Sequence, residues 1–197
     1  IIYELYNVIS ESLLNLSYQI SDQERFKNEE ICSQYEIAQY NKGVMQRLYL
    51  MITVGPELSS RGYARVLDVL SDLAMMIRQS QNVIQSLFVR YYLLCVFKAH
   101  LLDTTPQDTE RTVHFLLHNF AQMNRMWVRI ADTQTESPDD ANPSDTEQLS
   151  FISRPKNLSI QQQRKELSVL VGMNLSRVTS LKNLTPEMYS GVILPFV

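Results

Sequence analysis

The sequence predicts an all-α protein, and three observations lead to that prediction. Apolar residues recur every three to four positions along almost the whole chain, which is the period of an amphipathic α-helix. The 197 residues include only five glycines and seven prolines, fewer than a turn-rich β fold uses. Helices connected in up-and-down order form either a closed bundle or an α-solenoid of stacked antiparallel pairs.

Three helices are predicted in the first part of the chain. The first carries Leu5, Val8, Ile9, Leu13 and Leu16, and it ends in the polar stretch 21–27. The second runs from about Asn28 to Ile52, and Gly55-Pro56 is its predicted stop, because glycine and proline are typical just beyond a helix end. The third has the clearest apolar stripe, from Val66 to Ile77.

Four more helices are predicted in the rest of the chain. The fourth, residues 81–102, is apolar almost all the way round, so we expect a central helix that is covered on several sides. The fifth begins after Thr105-Pro106, because proline suits the first turn of a helix. The sixth covers Ser159 to Leu184, and Thr185-Pro186-Glu187 predicts the capped start of a seventh.

The stretch from Asp132 to Ser150 differs from its surroundings, because it holds six carboxylates and no basic residue. Such a segment buries too little apolar surface to offset its ordering entropy, so we predict a disordered acidic loop over 132–157. Both ends of the chain are apolar, and neither resembles a natural terminus. We therefore predict that residues 1–197 are a single solenoid segment of a longer chain.

Composition argues against several classes of protein. The formal charge of −3 does not favour a nucleic-acid-binding protein, which needs clustered lysine and arginine. Cys32 and Cys95 lie far apart inside helical patterns, so we expect reduced, buried thiols in a cytosolic protein rather than a disulfide or a zinc site. No apolar run reaches the ~18–20 residues of a membrane span, and no signal peptide is visible.

The sequence contains no motif that predicts catalysis. His114 and His118 are four residues apart, which is a metal-ligand spacing, but HFLLH lacks the glutamate of HExxH and no convincing third ligand accompanies it. We interpret both histidines as helix surface. Glycine-rich phosphate loops, GxSxG and nucleophilic Cys/His pairs are also missing from the sequence, so we expect neither enzymatic activity nor a cofactor.

Three arginines, Arg47, Arg90 and Arg129, lie in strongly apolar runs. Each could lay its methylene stem along the core and pair with a carboxylate of the next helix. Candidate carboxylates are Glu36, Asp68 and Asp72. Alternatively, Arg47 could anchor a partner protein together with Tyr49 and Leu50, since arginine and tyrosine are favoured at interfaces. The residues alone favour the structural interpretation.

Several sequence blocks occur in a characteristic order. They are YELYNVIS (3–10), RLYLMITVG (47–55), FVRYYLL (88–94), NFAQMNRMWVR (119–129) and KELSVLVGMNLSRV (165–178). The second block resembles PRLYLM, the hallmark of the vacuolar protein sorting 35 family, which is the large subunit of retromer. The other blocks also resemble that family, and together the resemblance covers essentially the whole chain.

This resemblance implies an α-solenoid of stacked antiparallel HEAT-like helix pairs, of which the chain is an N-terminal part. It implies a non-catalytic scaffold of the retromer coat in endosomal sorting and retrograde transport, located in the cytoplasm and peripheral on endosome membranes. The implied partners are the arrestin-like subunit (vacuolar protein sorting 26), sorting nexins, cargo tails and a Rab-type GTPase. A generic helical adaptor or small-GTPase effector of another trafficking complex is the alternative.

The signature also implies a set of partner-binding residues. Carried over one by one, they are Arg47, Leu48, Tyr49, Leu50 and Met51. The family has proline where this chain has Gln46, and a proline inside a helix removes a backbone donor and bends the axis. Gln46 therefore predicts a straighter helix. A buried arginine that orients two helices would make Arg47 as necessary as a direct contact would, and we expect this indirect role.

Overall fold

The computed structural model describes residues 2–22, 28–135, 162 and 164–195, and within these residues the fold is built from helices without a β-strand. The helices are α1 (Ile2–Ile20), α2 (Asn28–Gln39), α3 (Val44–Ser60), α4 (Val66–Arg78), α5 (Val83–Phe97), α6 (Pro106–Thr135) and α7 (164–178). A 3-10 turn, Lys98–His100, follows α5, and a last helical segment combines the α-turn Pro186–Met188 with the π-turn Tyr189–Ile193. The prediction of an all-α fold is confirmed.

The helices pack in the order of an α-solenoid. From α2 to α6 each helix contacts the next one along the chain, and α3 also contacts α1 and α5, while α4 contacts α6. Short connections make neighbouring helices antiparallel, and the contacts of α3 with α1 and α5 and of α4 with α6 stack these pairs on each other. Among the described residues, no helix is long and apolar enough to cross a membrane.

Polar caps begin three of the helices, and the sequence indicated a cap for one of them, at Thr185. Thr105 precedes Pro106, and its hydroxyl accepts a hydrogen bond from the backbone N–H of Asp108 at 3.2 Å. The hydroxyl of Thr185 likewise accepts a hydrogen bond from the backbone N–H of Met188 at 3.2 Å. Asn82, which the sequence analysis did not single out, caps α5 by accepting from the N–H of Gln85 at 3.1 Å. These side chains satisfy donors that the first turn of a helix leaves without partners.

The predicted stop at Gly55-Pro56 is wrong, because α3 continues through both residues to Ser60. The true stop is Gly62, whose φ of 82° is a conformation that glycine adopts without strain. Its N–H donates to the carbonyl of Ser59, and the next N–H donates to the carbonyl of Leu58, which together form a Schellman cap. An interior proline costs about 3 kcal/mol, and here it is tolerated within a fully buried stretch of helix.

The predicted second helix, 28–52, is also wrong, because it is two helices with a break at 40–43. Asn41 makes the turn by accepting a hydrogen bond from the N–H of Gly43 at 3.1 Å. Gln46 consequently lies in the first turn of α3, where the first helical hydrogen bond is donated by Arg47 to the carbonyl of Gly43. A proline at position 46 would therefore remove no helical bond, and the expected difference in helix bending does not follow.

The largest apolar core lies between α3, α4 and α5. Fully buried members include Leu48, Ile52, Leu70, Leu73, Ile77, Leu93 and Phe97. The predicted stripe of α4 faces this core, and α5 is buried on all sides as expected. The apolar face of α1 is only partly covered, since Leu5 and Val8 are exposed, whereas Ile9 and Leu13 pack against the core.

Polar bonds fix α1 against α3. Ser17 donates from its hydroxyl to the carbonyl of Thr53 at 3.3 Å, and Ser21 donates to the carboxylate of Glu57 at 2.7 Å. Glu57 is buried and also pairs with Arg61, whose Nε lies 3.4 Å from its Oε2. A buried carboxylate is stable only with such donors, so these contacts determine where the end of α1 lies.

Asp103 joins the turn before α6 to the turn after α7. Its carboxylate accepts hydrogen bonds from the backbone N–H groups of Lys182 and Asn183, and from the hydroxyl of Thr109 at 2.9 Å. The Asn183 side chain donates in return to the backbone carbonyl of Asp103 at 2.6 Å. These reciprocal bonds connect segments that are about 80 residues apart in sequence.

Arg90 of α5 bonds three helices together although it is only 1% exposed. Its Nη1 donates to Oδ1 of Asn119 in α6 at 2.6 Å, and its Nη2 donates to the carbonyl of Ala74 in α4 at 3.1 Å. Both partners are neutral, so the expected pairing with a carboxylate is wrong for this arginine. Burial, followed by repulsion from Arg78, lowers the pKa of Arg90 to about 10, which still leaves it charged at neutral pH.

Part of the predicted acidic loop lies outside the described residues. Helix α6 extends through Thr135, so residues 132–135 are helical, while 136–157 are not described. The predicted sixth helix, 159–184, is described as α7 only up to residue 178, so its predicted end at Leu184 is wrong. Helix α7 buries Leu167, Leu170, Val171 and Val178 as expected, whereas Leu181 lies beyond it and is half-buried. Cys32 and Cys95 are free thiols, as predicted, but half-buried rather than fully buried.

The first prediction concerns Gly55, where α3 approaches α5 and α4 closely. A Cβ at this position would lie 2.9 Å from Cζ of Phe97 and 3.3 Å from Cγ1 of Val69. We expect Gly55→Ala to lower the free energy of unfolding by about 1–3 kcal/mol through overpacking, measured by urea denaturation. Gly172→Ala is the matched control, because a Cβ there meets no atom within 4 Å. Its helical position should make alanine stabilising by about 0.5–1 kcal/mol, and a loss of stability there would contradict the packing argument.

The second prediction concerns Arg90 and Asn119. Asn119→Ala leaves a buried guanidinium without its best acceptor, and we expect a loss of about 2–3 kcal/mol in the free energy of unfolding. The double variant Arg90→Met/Asn119→Leu should recover much of this loss, because replacing both partners of a buried polar pair by apolar side chains is close to neutral. Urea denaturation of the wild type, Arg90→Met, Asn119→Leu and the double variant measures the coupling, and strictly additive effects would show that the bond is unimportant.

Candidate partner-binding site

The five residues of the family signature lie in the first half of α3, and most of them belong to the core. Leu48, Tyr49 and Met51 are buried, whereas Arg47 and Leu50 are half-buried. The helix turns by about 100° per residue, so five consecutive residues point in all directions and cannot form one exposed face. Only Arg47 and Leu50 retain substantial contact with solvent.

A groove between α1 and α3 passes along one side of Leu50. It has a volume of about 550 Å³, and its walls include Tyr6, Ile9 and Leu13 of α1 and Met45, Tyr49 and Leu50 of α3. We call it the α1–α3 groove. Its walls are mostly apolar, and shape and apolar area are what a protein-binding groove uses. Of the signature residues, Tyr49 and Leu50 line the groove, while no residue of the α1 wall was identified from the sequence as part of a site.

A second apolar hollow lies on the other side of Leu50. It has a volume of about 250 Å³, and its walls include Leu16 and Ile20 of α1, Ile31 and Ile37 of α2, and Val54 of α3. We call it the α1–α2 hollow. Because Leu50 lines both concavities, it forms an apolar ridge between them. Ile37 is 61% exposed, so the apolar surface continues onto α2.

Tyr49 forms the floor of the α1–α3 groove and packs against α5. Its ring centroid lies 5.2 Å from that of Tyr92, and the two planes are inclined by 48°. Burial, with smaller effects from Tyr6 and Tyr92, raises the pKa of Tyr49. Its hydroxyl is buried and forms no hydrogen bond within the described structure. The fold encloses this oxygen, so it is not accessible to a partner in the groove.

The contact between α3 and α5 is completed by Thr53 and Tyr92. Oγ1 of Thr53 donates to the carbonyl of Tyr49 at 2.7 Å and lies 2.8 Å from the hydroxyl of Tyr92. The stacked ring pair Tyr6 and Phe88, with centroids 4.3 Å apart, holds α1 against the same helix. The groove walls therefore rest on directional contacts with α5.

Arg47 does not behave as the sequence predicted. Within the described chain it forms no ion pair with Glu36, Asp68 or Asp72, and its Nε is buried without a hydrogen-bond acceptor. An arginine that braces two helices needs such an acceptor. The geometry therefore does not support the interpretation of Arg47 as a buried ion-pair brace.

The remaining candidate residues do not converge on a site. His114 and His118 are exposed on α6, and His114 lies 4.0 Å from the carboxylate of Glu110. In the described part of the chain, no group of three or more His, Cys, Asp or Glu side chains is arranged to hold a metal ion. Arg129 is exposed on α6 rather than inserted into the core.

The third prediction concerns pH and Tyr92. Burial raises the pKa of Tyr92 to about 12, although its bond to Thr53 acts in the opposite direction. A pKa above the unfolded value of about 10 means that this stability is present below pH ~10 and is lost as pH rises through ~12. We expect Tyr92→Phe to cost about 1 kcal/mol at neutral pH and this difference from wild type to shrink as pH approaches ~11, measured by urea denaturation. Tyr40→Phe is the control, because Tyr40 is 86% exposed, and a pH-independent difference for Tyr92→Phe would contradict the prediction.

Comparison with known proteins gives a consistent result over the whole chain. The sequence model of the family "Vacuolar protein sorting-associated protein 35" matches residues 2–197. The protein of that name from Dictyostelium discoideum is 34% identical over 199 residues, which cover 99% of this chain and 23% of the relative.

Two further relatives agree. The Schizosaccharomyces pombe protein of the same name is 33% identical over 204 residues, covering 99% of this chain and 22% of its own length. Vacuolar protein sorting-associated protein 35B of Arabidopsis thaliana is 31% identical over 201 residues, which cover 99% of this chain and 23% of the relative. The chain thus spans less than a quarter of the length of these relatives. With a family match over residues 2–197, the chain belongs to the vacuolar protein sorting-associated protein 35 family.

Proposed function

We propose that this chain is a non-catalytic scaffold segment of a retromer coat, which acts in endosomal sorting and retrograde transport of membrane cargo. Its direct partner is the arrestin-like subunit, vacuolar protein sorting 26. The proposal rests on the family match and on one structural observation. Leu50, in the family signature, is the ridge between two apolar concavities.

The α1–α3 groove has the chemistry of a protein interface. Its walls are aliphatic and aromatic, and its polar groups are the amides of Asn41, Gln46 and Gln85 at the rim. An apolar centre with a polar rim is typical of specific protein interfaces. In this proposal Leu50 and Arg47 contact the partner, while Leu48, Tyr49 and Met51 position them from within the core.

The wider role follows from the same family membership. Sorting nexins, cargo tails and a Rab-type GTPase are proposed as further members of the assembly. The scaffold is then cytoplasmic and held at the periphery of endosome membranes through these partners. Peripheral attachment requires no membrane-spanning helix, and none occurs among the described residues.

The fourth prediction tests Leu50 by calorimetric titration with the arrestin-like subunit of the same organism. Leu50→Asp places a charge on the ridge, and we expect the affinity to fall by roughly 30-fold or more, as for a central interface residue. Leu50 is half-buried, so the melting temperature is measured for each protein. Leu5→Asp is the matched control, because Leu5 is 57% exposed on α1 and outside the groove, and it should bind like wild type.

The variant Arg47→Ala tests whether Arg47 contacts the partner directly or affects binding only through the stability of the fold. Its Nε has no acceptor in the described chain, so we expect the melting temperature to stay close to wild type while binding weakens. Loss of binding together with a large loss of stability would show that Arg47 acts through the fold. If the folded wild-type chain does not bind the subunit at all, the proposed partner is wrong.

A further inference from the structure

The end of α1 carries a serine whose hydroxyl reaches a buried carboxylate. Ser21 directly follows Ile20, the last residue of the helix, and it is exposed. Its Oγ donates to Oε1 of Glu57 in α3 at 2.7 Å. Glu57 is only 5% exposed, so this hydrogen bond connects the surface of the molecule to a charge inside it.

The two oxygens of the Glu57 carboxylate accept from different parts of the fold. Oε2 lies 3.3 Å from the hydroxyl of Ser60 and 3.4 Å from Nε of Arg61, both at the end of α3 itself. Oε1 accepts from Ser21, which belongs to the end of α1. Water cannot readily replace a donor lost from a buried charge. A chemical change at the Ser21 hydroxyl therefore acts directly on the contact between α1 and α3.

The sequence at Ser21 suits a kinase that selects acidic substrates. Asp22 follows the serine, and the chain continues with Gln23-Glu24. Carboxylates one and three positions after a serine fit the basic substrate groove of such a kinase, because opposite charges favour the encounter. Helix ends open locally at little cost in free energy. The exposed Ser21 can thus leave Glu57 and enter a kinase active site.

We propose that Ser21 is a phosphorylation site, and that its phosphate releases the end of α1 from α3. The Ser21 Oγ attacks the γ-phosphorus of ATP bound to the kinase. The new Oγ–P bond replaces the bond from that phosphorus to ADP, and the hydroxyl proton passes to the catalytic base of the kinase. The donor to Glu57 is thereby lost, and a group with a charge of about −1.5 to −2 takes its place.

The phosphate and Glu57 cannot keep the contact that the hydroxyl made. Two negative groups at hydrogen-bond distance repel each other, and the low dielectric around a buried carboxylate strengthens the repulsion. The phosphate also lies at the C-terminal end of α1, where the helix dipole disfavours negative charge. Of the two polar bonds between α1 and α3 described above, the longer one remains, from Ser17 to the carbonyl of Thr53 at 3.3 Å.

The released end of α1 borders the α1–α2 hollow. Leu16 and Ile20 line that hollow, and Ile20 is buried in a cluster with Ile31 and Val54. Displacing this turn exposes apolar side chains and changes the surface beside Leu50. An effect on the arrestin-like subunit follows only if the proposed function is correct. The modification and its effect on the fold do not depend on that function.

The fifth prediction is tested by treating the purified chain with casein kinase 2 and Mg-ATP and locating phosphate by mass spectrometry. We expect phosphate at Ser21 and a melting temperature that is lower by about 4 °C or more in the phosphorylated chain. The stretch Ser144-Asp145-Thr146-Glu147 has the same acidic spacing, so melting is measured in a Ser144→Ala background. Casein is the positive control for kinase activity, and Ser21→Ala is the control for the site.

Charge variants test the mechanism without a kinase. Ser21→Asp should lower the melting temperature by about 4 °C or more. In a Glu57→Gln background the same change should cost roughly half as much or less, because glutamine does not repel the aspartate. The matched control is Gln19→Asp, which places the same charge on an exposed residue in the last turn of α1. It measures the effect of the helix dipole without Glu57.

Four results would overturn the proposal. Absence of phosphate at Ser21, while casein is phosphorylated, would exclude the site. A phosphorylated chain that melts at or above the temperature of the unmodified chain would show that the phosphate does not release α1. Equal losses from Ser21→Asp with glutamate and with glutamine at position 57 would show that Glu57 is not the repelled group. An equal loss in Gln19→Asp would reduce the effect to the helix dipole.

Discussion

A buried positive charge with neutral partners is the constraint on which the packing of α4, α5 and α6 depends. Removing a guanidinium from water costs several kcal/mol, and only well-placed acceptors offset that cost. For Arg90 these are Oδ1 of Asn119 at 2.6 Å and the carbonyl of Ala74 at 3.1 Å. Apolar contacts tolerate sliding because the hydrophobic effect is not directional, whereas hydrogen bonds weaken steeply with misalignment. Arg90 therefore selects one register among the many that the apolar residues would accept.

In helix α3, most residues of the family signature pack in the core of this protein, and few of them could contact a partner protein. Leu48, Tyr49 and Met51 face the core, and further along the helix Gly55 leaves room for Phe97 of α5. Only Arg47 and Leu50 reach the surface. A change at a buried signature residue would thus displace the helix before it altered any direct contact. Loss of partner binding in such a variant would not identify an interface residue, which is why Leu50 is the informative position.

The sequence predicted a helix well where its apolar residues follow a single helical period. It predicted helix ends poorly where tertiary contacts or the residues of a turn determine where the helix stops. The stripe of α4 and the all-round burial of α5 followed from periodicity. Gly55-Pro56 looked like a helix end, but burial within the core carries α3 past it, and the cap forms at Gly62. The break at 40–43 had a signal, Asn41 with Gly43, that was missed. The partner of Arg90 could not be predicted, because it depends on the register between helices.

The α1–α3 groove is supported by α5 without being formed mainly from it. Arg90 and Tyr92 are two residues apart, so they project about 200° apart around the helix. Arg90 meets α4 and α6, while Tyr92 meets Thr53 of α3 beneath the groove. A helix with a single buried face could not make both sets of contacts. The apolar character of α5 on every side thus follows from its position between α4 and α6 on one side and α1 and α3 on the other.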